Sequence, residues 1–444
     1  MPETWQEFYD GCKMVVENTA ATNCWSIHVE ASDLDGFMAS VGVYPQADPA
    51  TLTSKMNDPA FVEWFELVQQ MVDEGLARPE AERYSGDDEM IAGDAAFTTG
   101  SSSGIYYFPA NEDGTFAIDW KVIPIPHSEG VAPVSTVYGA NVMAVKEDDA
   151  QRDLAKWLFI KYWSSPEVVK EWILGTEEIR GSSYMPLQVS LAADPDVQAH
   201  IEESYYNQRW GEAVAQLEIG VIEPQLAGQQ AVRDILEDAY LRIIGGEDVQ
   251  TVLDAAKALA DEAFQLKGEP VSLPPEPEPE MDAVSQIEFT EPVELEFWHT
   301  KTGSQEELLN GIVAAFNDSN EYGITVVPTS IEGSYDAIFK DTVAGLAVGE
   351  IPDLVVAYPS MVAEYMEAEA PLALDPYIAS EKYGLTGDEL ADYFPVYIED
   401  NTYPAYDNQM LSWPFHKSMV TMFANETLLA EAGVEKMPET WAEF

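Results

Sequence analysis

The sequence predicts an α/β fold in which helices cover a mostly parallel sheet. Short β-rich runs, such as 293–298, alternate along the chain with amphipathic helical segments, such as 305–316. The hydrophobic fraction is 46%, with 11 Trp, 21 Tyr and 17 Phe, so the chain can bury large cores. A length of 444 residues fits two or three domains. Strands that are separated by helices are typical of layered α/β domains.

The hydrophobic periodicity locates the individual elements. Apolar residues recur at helical spacing over 60–74, 150–162, 166–174, 232–244, 249–265, 305–316 and 335–348. Strands are expected at 95–99, 121–125, 141–145, 293–298, 323–328 and 353–357.

The charge balance is strongly negative, with 80 acidic residues against 21 basic ones and a net charge of −59. Such a surface repels phosphate backbones, which excludes nucleic acid as a partner. The charge is typical of a highly soluble protein, and a calcium store or a cationic ligand are the alternatives. The two nearest calcium-loop patterns, at 33–36 and 111–114, lack the alternating oxygens and the distal Glu of such a loop.

Cysteine and histidine usage predicts no metal and no cofactor. Cys12 and Cys24 are the two cysteines; they can form one disulfide but no disulfide framework. The five histidines are scattered and no Cys/His cluster has zinc-ligand spacing. No apolar run approaches the roughly 18 residues of a membrane span, and no signal peptide opens the sequence.

An eight-residue motif occurs at both ends of the sequence. Residues 1–8 (MPETWQEF) and 437–444 (MPETWAEF) match at all but one position, and each copy reads as a helix start. In the first copy Thr4 and Glu7 have capping-box spacing. A Pro/Glu-rich linker lies between the two parts of the chain, at 269–289. These features predict either a circular permutation or the junction of tandem gene copies. One copy of the motif is expected to dangle or to pair with a neighbouring chain.

Several motifs resemble one known family, in permuted order. Residues 296–300 (EFWHT), 333–335 (GSY), 351–354 (IPDL), 411–415 (LSWPF), 93–102 (GDAAFTTGSS) and 138–141 (YGAN) are similar to extracellular solute-binding proteins of ABC importers. The resemblance is to the glycerol-3-phosphate-binding and maltose-binding type.

The resemblance implies a two-lobe periplasmic-binding-protein fold of type II, circularly permuted. The C-terminal lobe would comprise 1–130 and 187–268, with its start duplicated at 421–444, and the N-terminal lobe would comprise 290–420 and 131–186. It also implies an extracytoplasmic location, periplasmic or lipid-anchored. The expected partners are a small solute and the transmembrane permease subunits of an ABC importer. A monomer is expected, with a domain-swapped oligomer as the alternative.

A cleft for a polar solute needs aromatic faces, hydroxyls and amides, and a phosphate also needs N–H groups or cations. Trp298 and His299 are candidates because they end a predicted strand, and Ser101 and Ser102 lie in a Gly/Ser loop after another. Lys417 is a candidate because cations are rare in this chain. Trp413 is a candidate as an aromatic face, and Ser418 as a hydroxyl next to Lys417. The resemblance adds Tyr335, Tyr358, Gly139, Tyr184 and Arg233.

The ligand class stays open between a sugar, a polyol and a glycerol-3-phosphate-like solute. Pro359 stands where the family has a glutamate, and the ligand-stacking tryptophans of the middle segment have no clear match. A neutral oligosaccharide would fit a stacking set of Trp298, Trp413, Tyr358 and Trp25. Two other classes remain as alternatives: a glycoside-processing enzyme with paired carboxylates, and a non-transport interaction protein with a degenerate cleft.

Overall fold

The structure, a computed structural model, describes residues 1–111, 115–267 and 282–434. Most of the predicted Pro/Glu linker and the whole second copy of the duplicated motif lie outside the described residues.

Strands alternate with helices along the chain, which confirms the α/β prediction. The described strands are β1 (Trp25–Ile27), β2 (Ala47–Asp48), β3 (Thr53–Ser54), β4 (Ala77–Pro79), β5 (Phe97–Ser101), β6 (Trp120–Ile123), β7 (Ser135–Ala144), β8 (Gly220–Ile222), β9 (Val293–His299), β10 (Ile324–Ser330), β11 (Leu354–Ala357), β12 (Thr402–Tyr403), β13 (Gln409–Met410) and β14 (Trp413–Asn425).

The described helices surround these strands, and none of them combines the length and apolar character needed to cross a membrane. They are α1 (Trp5–Asn18), α2 (Ala31–Ser40), α3 (Pro59–Asp73), α4 (Ser85–Ala92), α5 (Ala150–Trp163), α6 (Pro166–Leu174), α7 (Val189–Ala192), α8 (Pro195–Glu203), α9 (Tyr205–Val214), α10 (Gln229–Ile244), α11 (Val249–Leu266), α12 (Gly303–Ser319), α13 (Tyr335–Val348), α14 (Pro359–Tyr365), α15 (Asp375–Ile378), α16 (Gly387–Ala391), α17 (Pro395–Asn401) and α18 (Glu426–Ala432).

One large sheet runs through the described part of the molecule, in the order β10-β9-β11-β7-β14-β5-β1-β4, with β6 paired to β14 and β8 paired to β7. Its outer parts are parallel, as in the pairs of β9 with β10 and β1 with β4. The centre is antiparallel because β14 pairs in that sense with β7, β5 and β6. The sheet is therefore mixed rather than mostly parallel.

Two separate hydrophobic cores lie along this sheet. The first contains Trp5, Trp25 and Trp64 with helices α3, α10 and α11, and the second contains Trp157 and Trp163 with strands β9 and β11. Strand β14 contributes to both cores, since its last half sends alternate side chains into each. The division of the chain into lobes at the boundaries given above stays a prediction.

The first copy of the duplicated motif forms the start of α1. The hydroxyl of Thr4 accepts from the Glu7 N–H at 3.2 Å and the Glu7 carboxylate accepts from the Thr4 N–H at 3.2 Å, which confirms this capping box. Trp5 is 4% exposed and donates its indole N–H to Ser40 Oγ at 3.0 Å. The motif is therefore part of the first core.

A disulfide joins Cys12 in α1 to Cys24, just before β1, with a sequence separation of 12 residues. Both cysteines are fully buried in the first core. The bond closes a short loop and ties the helix to the sheet that it covers.

We predict that the two motif copies are interchangeable at the start of α1. Deleting residues 1–8 should leave a folded protein, because 437–444 carries the same Thr, Trp and Glu residues. In that deletion background, Trp441→Ala should lower the free energy of unfolding by about 3–5 kcal/mol, as expected for a buried tryptophan. Urea unfolding followed by circular dichroism measures both effects. In the full chain Trp441→Ala is the matched control and should have no effect. Loss of folding on deletion of 1–8 alone would contradict the prediction.

Removal of the disulfide should lower stability without changing the fold. The entropy of closing a loop of this length corresponds to about 3 kcal/mol of unfolding free energy. The Cys12→Ala/Cys24→Ala variant should therefore unfold at lower urea concentration than the oxidised wild type. The same loss should follow reduction of the wild type with dithiothreitol, to which the double variant should not respond.

Candidate functional site

A cavity of about 650 Å³ lies between the two cores. Its first wall comes from the segments after β1 and β4 and from α10. The opposite wall comes from the starts of α13 and α14, and strands β5, β7 and β14 line its base. A cavity between two cores is the usual position of a small-molecule site in an α/β protein.

Five tyrosines line this cavity: Tyr84, Tyr138, Tyr184, Tyr335 and Tyr358. The rings of Tyr335 and Tyr358 lie side by side, with centroids 4.7 Å apart. Burial raises the pKa of Tyr184 to about 12 and raises the pKa values of Tyr335 and Tyr358. These phenols therefore offer neutral hydroxyls and apolar ring faces to a solute.

Two arginines reach the cavity wall, and both are already paired. Arg233 in α10 donates to Glu223 Oε1 at 2.8 Å and to Ser32 Oγ at 3.1 Å, and its guanidinium lies 5.7 Å from the ring centre of Tyr358. Arg83 donates to Glu30 Oε2 at 2.6 Å. The guanidinium charges are consequently balanced before any ligand binds.

His28 lies in the wall among three carboxylates. Its Nδ1 is 2.9 Å from Asp33 Oδ2, and its Nε2 is 3.7 Å from Glu30 Oε2 and 3.6 Å from Glu80 Oε1. Burial lowers the pKa of His28, but Asp33, Glu30 and Glu80 outweigh it and raise the pKa from 6.5 to about 9. His28 is therefore in its charged imidazolium form at neutral pH.

The base of the cavity depends on a close approach between two strands. Gly139 in β7 has a φ of +103°, and a Cβ there would lie 2.4 Å from the His416 carbonyl oxygen of β14. The register between these strands shifts between Pro414 and His416. Only glycine satisfies both the backbone conformation and the spacing at this position.

Seven of the twelve candidates from the sequence line the cavity together. They come from seven separate segments of the chain and are Ser101, Gly139, Tyr184, Arg233, Tyr335, Tyr358 and Ser418.

Two further candidates, both on β14, are buried in the second core instead. Trp413 is fully buried; it donates its indole N–H to Ser164 Oγ at 2.9 Å and packs against Trp157. Lys417 is also fully buried, with its Nζ 2.7 Å from Asp400 Oδ2 and 3.0 Å from Asn141 Oδ1. Lys417 therefore forms an ion pair in the interior and does not line the cavity.

The other three candidates also lie outside the cavity wall. Trp298 is half-buried on the outer face of β9, because strand alternation turns its neighbours inward, and it donates to Glu296 Oε1 at 2.8 Å. His299 is buried; its Nδ1 accepts from the Lys301 N–H at 3.1 Å, and burial with Lys301 nearby lowers its pKa to about 4. Ser102 Oγ accepts from the Met419 N–H at 3.0 Å. Trp25, from the proposed stacking set, is fully buried in the first core.

The charged part of the wall, formed by 28–30, 80–84 and 234–237, contains none of the candidates that the sequence predicted. These segments are distant in sequence and no motif connects them. The one available signal was the position of the first two segments directly after strands β1 and β4, where α/β proteins place ligand groups.

The chain belongs to the bacterial extracellular solute-binding proteins, whose family pattern matches residues 1–202 and 311–444. The sn-glycerol-3-phosphate-binding periplasmic protein of Rhizobium meliloti is 28% identical over 152 residues, which is 34% of this chain and 34% of that protein. The corresponding protein of Brucella abortus is 28% identical over 153 residues, again 34% of each chain. The alignments thus span about a third of the length of these relatives.

Two solved structures resemble parts of the molecule. The cyclic α-maltosyl-1,6-maltose binding protein from Arthrobacter globiformis is 16% identical, with a TM-score of 0.48 over 60% of this chain and 65% of that one. A solute-binding protein from Agrobacterium radiobacter in complex with ribitol is 20% identical, with a TM-score of 0.43 over 60% and 65%. TM-scores below 0.5 do not establish a shared fold, so the assignment depends on the family match.

The charge on His28 should make stability depend on pH. Its folded pKa of about 9 exceeds the unfolded value of 6.5, so its contribution is complete below pH 6.5 and is lost as the pH rises through about 9. Urea unfolding between these pH values should show the wild type losing stability while His28→Asn loses less. His127→Asn, a change of the same type outside the cavity, should behave like the wild type. Equal slopes for the wild type and His28→Asn would contradict the prediction.

Proposed function

We propose that this protein captures a polyhydroxylated solute, of the sugar, polyol or glycerol-3-phosphate-like class, in the cavity between its two cores. The two walls close on the solute by a hinge movement, and the closed form delivers it to the membrane permease of an ABC importer. The protein carries out no chemical step on the solute. It acts outside the cytoplasm, in the periplasm or anchored at the cell surface.

The observation that carries this proposal is the composition of the cavity wall, which draws residues from both cores. Tyr84 and Arg233 stand on the first wall, and Tyr335 and Tyr358 on the second. A solute that contacts both walls stabilises the arrangement in which they are close, which is the requirement for a ligand-driven closure. The volume of about 650 Å³ falls in the usual range for small-molecule sites.

The polarity of the wall supports a polyhydroxylated solute. Ser101, Ser103 and Ser418 line the cavity beside the tyrosines, and Gln230 adds a residue with an amide group. Hydroxyls and amides exchange hydrogen bonds with sugar hydroxyls, and tyrosine faces cover the apolar C–H surface of a sugar ring.

Two crossing strands and one ion pair support the hinge. Strands β7 and β14 connect the two cores and line the cavity base. Elsewhere, Glu364 in α14 accepts from the Gly228 N–H at 2.6 Å and lies 2.5 Å from Lys267 Nζ. A hinge movement would bend β7 and β14 and would rearrange this ion pair.

The permuted order of the chain is part of the proposal. Helix α18, in the last described segment, packs against α1, and a methyl group at Gly11 would lie 4.0 Å from Val434. Such packing is the arrangement that an unpermuted chain would have if α18 led into α1.

Binding is tested by calorimetry and thermal unfolding with a panel of neutral sugars, polyols and sn-glycerol-3-phosphate. We expect one class to bind with a micromolar Kd, about −8 kcal/mol, and to raise the unfolding temperature. Small-angle scattering should show compaction on binding.

Matched variants locate the site. Tyr335→Ala should weaken binding by at least about tenfold because its ring lines the cavity, whereas Trp298→Ala should stay within about twofold. Hydrolysis of a chromogenic glycoside would contradict the proposal in favour of an enzyme. Absence of binding by the whole panel would favour an interaction protein with a degenerate cleft.

A further inference from the structure

We propose that the solute carries an ammonium group, so that the preferred ligand is an amino sugar or amino polyol rather than a neutral sugar or a phosphate ester. This inference depends on the proposed function and assigns a substrate class to the same cavity. It is carried by the charges of the wall, by one buried donor and by the tyrosine faces.

Every cation in the wall already has its own carboxylate. Arg83 pairs with Glu30 at 2.6 Å, Arg233 with Glu223 at 2.8 Å and His28 with Asp33 at 2.9 Å. Two nearby lysines do not line the cavity. Lys417 is paired with Asp400, and Lys301, which has no carboxylate at ion-pair distance among the described residues, places its Nζ over the ring of Tyr184 and donates to the phenol oxygen. Among the described residues that line the wall, a phosphate therefore meets no unpaired cation.

The wall also carries carboxylates beyond those pairs. Among the described residues, Glu80, Glu82, Asp234, Glu237 and Asp336 line the cavity without a lysine or arginine at ion-pair distance. The Glu80 side chain is 8% exposed and accepts from the Gly86 N–H at 3.2 Å, and His28 Nε2 lies 3.6 Å from its Oε1. Burial raises the pKa of Glu237, although the Ala31 N–H, which donates to Glu237 Oε1 at 2.8 Å, and Arg233 offset part of this effect.

If the walls closed on a neutral ligand, the unpaired carboxylates would lose contact with water and gain no compensating positive charge. Bringing unpaired carboxylates out of water is unfavourable unless a cation arrives with the ligand. An ammonium group supplies that charge and three N–H donors. A phosphate, in contrast, adds negative charge to a wall that already repels it.

A buried N–H donor in the cavity wall indicates that the solute carries an oxygen acceptor in addition to its ammonium group. His28 is 3% exposed and lines the cavity, and its Nε2 makes no hydrogen bond to the described residues. Charged imidazole carries an N–H at this atom, and an oxygen acceptor that the solute brings on closure would accept from it. Because Glu30 and Glu80 flank Nε2 at 3.7 and 3.6 Å, the acceptor stands beside carboxylates. An amino alcohol meets both requirements, because its hydroxyl oxygen would accept from His28 Nε2 and its ammonium group would lie beside the carboxylates of Glu30 and Glu80.

The tyrosines fit the same ligand class. Ring faces carry partial negative charge and attract alkylammonium groups as well as the C–H surface of a sugar ring. Two cations of the wall already lie near tyrosine rings: the guanidinium of Arg83 is 5.0 Å from the ring centre of Tyr84, and that of Arg233 is 5.7 Å from the ring centre of Tyr358.

The test compares glucosamine with glucose, which differ in one group, by calorimetry at about pH 6.5, where the amine is protonated. N-acetylglucosamine is the uncharged control and sn-glycerol-3-phosphate the anionic one. We expect glucosamine to bind at least about tenfold more tightly than the other three. Raising the salt concentration from about 0.05 M to about 0.5 M should reduce this preference, because the charge contribution is screened.

Variants assign the preference to the wall. Glu80→Gln/Glu237→Gln should bring the affinity for glucosamine close to that for glucose while circular dichroism shows that the protein remains folded. Glu66→Gln on the exposed face of α3 is the matched control and should keep the wild-type preference.

The outcomes separate the two proposals. Equal binding of glucosamine and glucose, or tighter binding of sn-glycerol-3-phosphate, overturns the ammonium assignment and leaves the solute-binding function intact. Failure of every probe and of the wider panel to bind the folded protein overturns the solute-binding function, and the ammonium assignment with it.

Discussion

The pairing of β14 with β7 is the constraint on which the rest of the molecule depends. Strand β14 has 13 residues, all buried, and its first half pairs with β7 while its second half pairs with β5 and β6. A fully buried ion pair stands where these strands meet, with Lys417 Nζ held by Asp400, Asn141 and the Gly139 carbonyl oxygen. A buried charge with complete hydrogen bonding fixes the register, because a shift would leave the ammonium unpaired. The base of the cavity is fixed by the same register.

Local sequence was sufficient to predict seven helices, six strands and the start of α1, but not many other described elements, which include α2, α9 and β14. Helices α6 and α13 occupy the predicted ranges, and the capping box at Thr4 forms as its spacing indicated. These features depend on neighbouring residues, so a single sequence contains the information. Strand β7 begins six positions earlier than predicted, at Ser135, because its first residues pair with β8 and β14, which lie far away in the sequence.

The candidate site could be predicted only in part. Residues that a motif placed in loops beside strands or at helix starts, such as Tyr335 and Ser101, reach the cavity. Trp413 and Lys417 were chosen for their chemical type, but indole and ammonium groups also serve as buried core groups when Ser164 or Asp400 is available as a partner. The charged wall was missed because Glu30, Glu80 and Glu237 come together only through the tertiary fold. Neither residue type nor spacing distinguishes three such residues among 80 acidic ones.

The same scarcity of cations accounts for the charge of the cavity. The chain has 21 lysines and arginines for 80 carboxylates. Several of those cations hold internal positions, where Lys417 binds Asp400 and Lys156 binds Asp153. A cation that is committed to a buried pair cannot be withdrawn without leaving its carboxylate uncompensated in the interior. Among the described residues, the cations that line the cavity, Arg83, Arg233 and His28, therefore already carry a partner. In a protein of this composition, the stability of the interior and the charge of the cavity wall depend on one limited supply of positive charge.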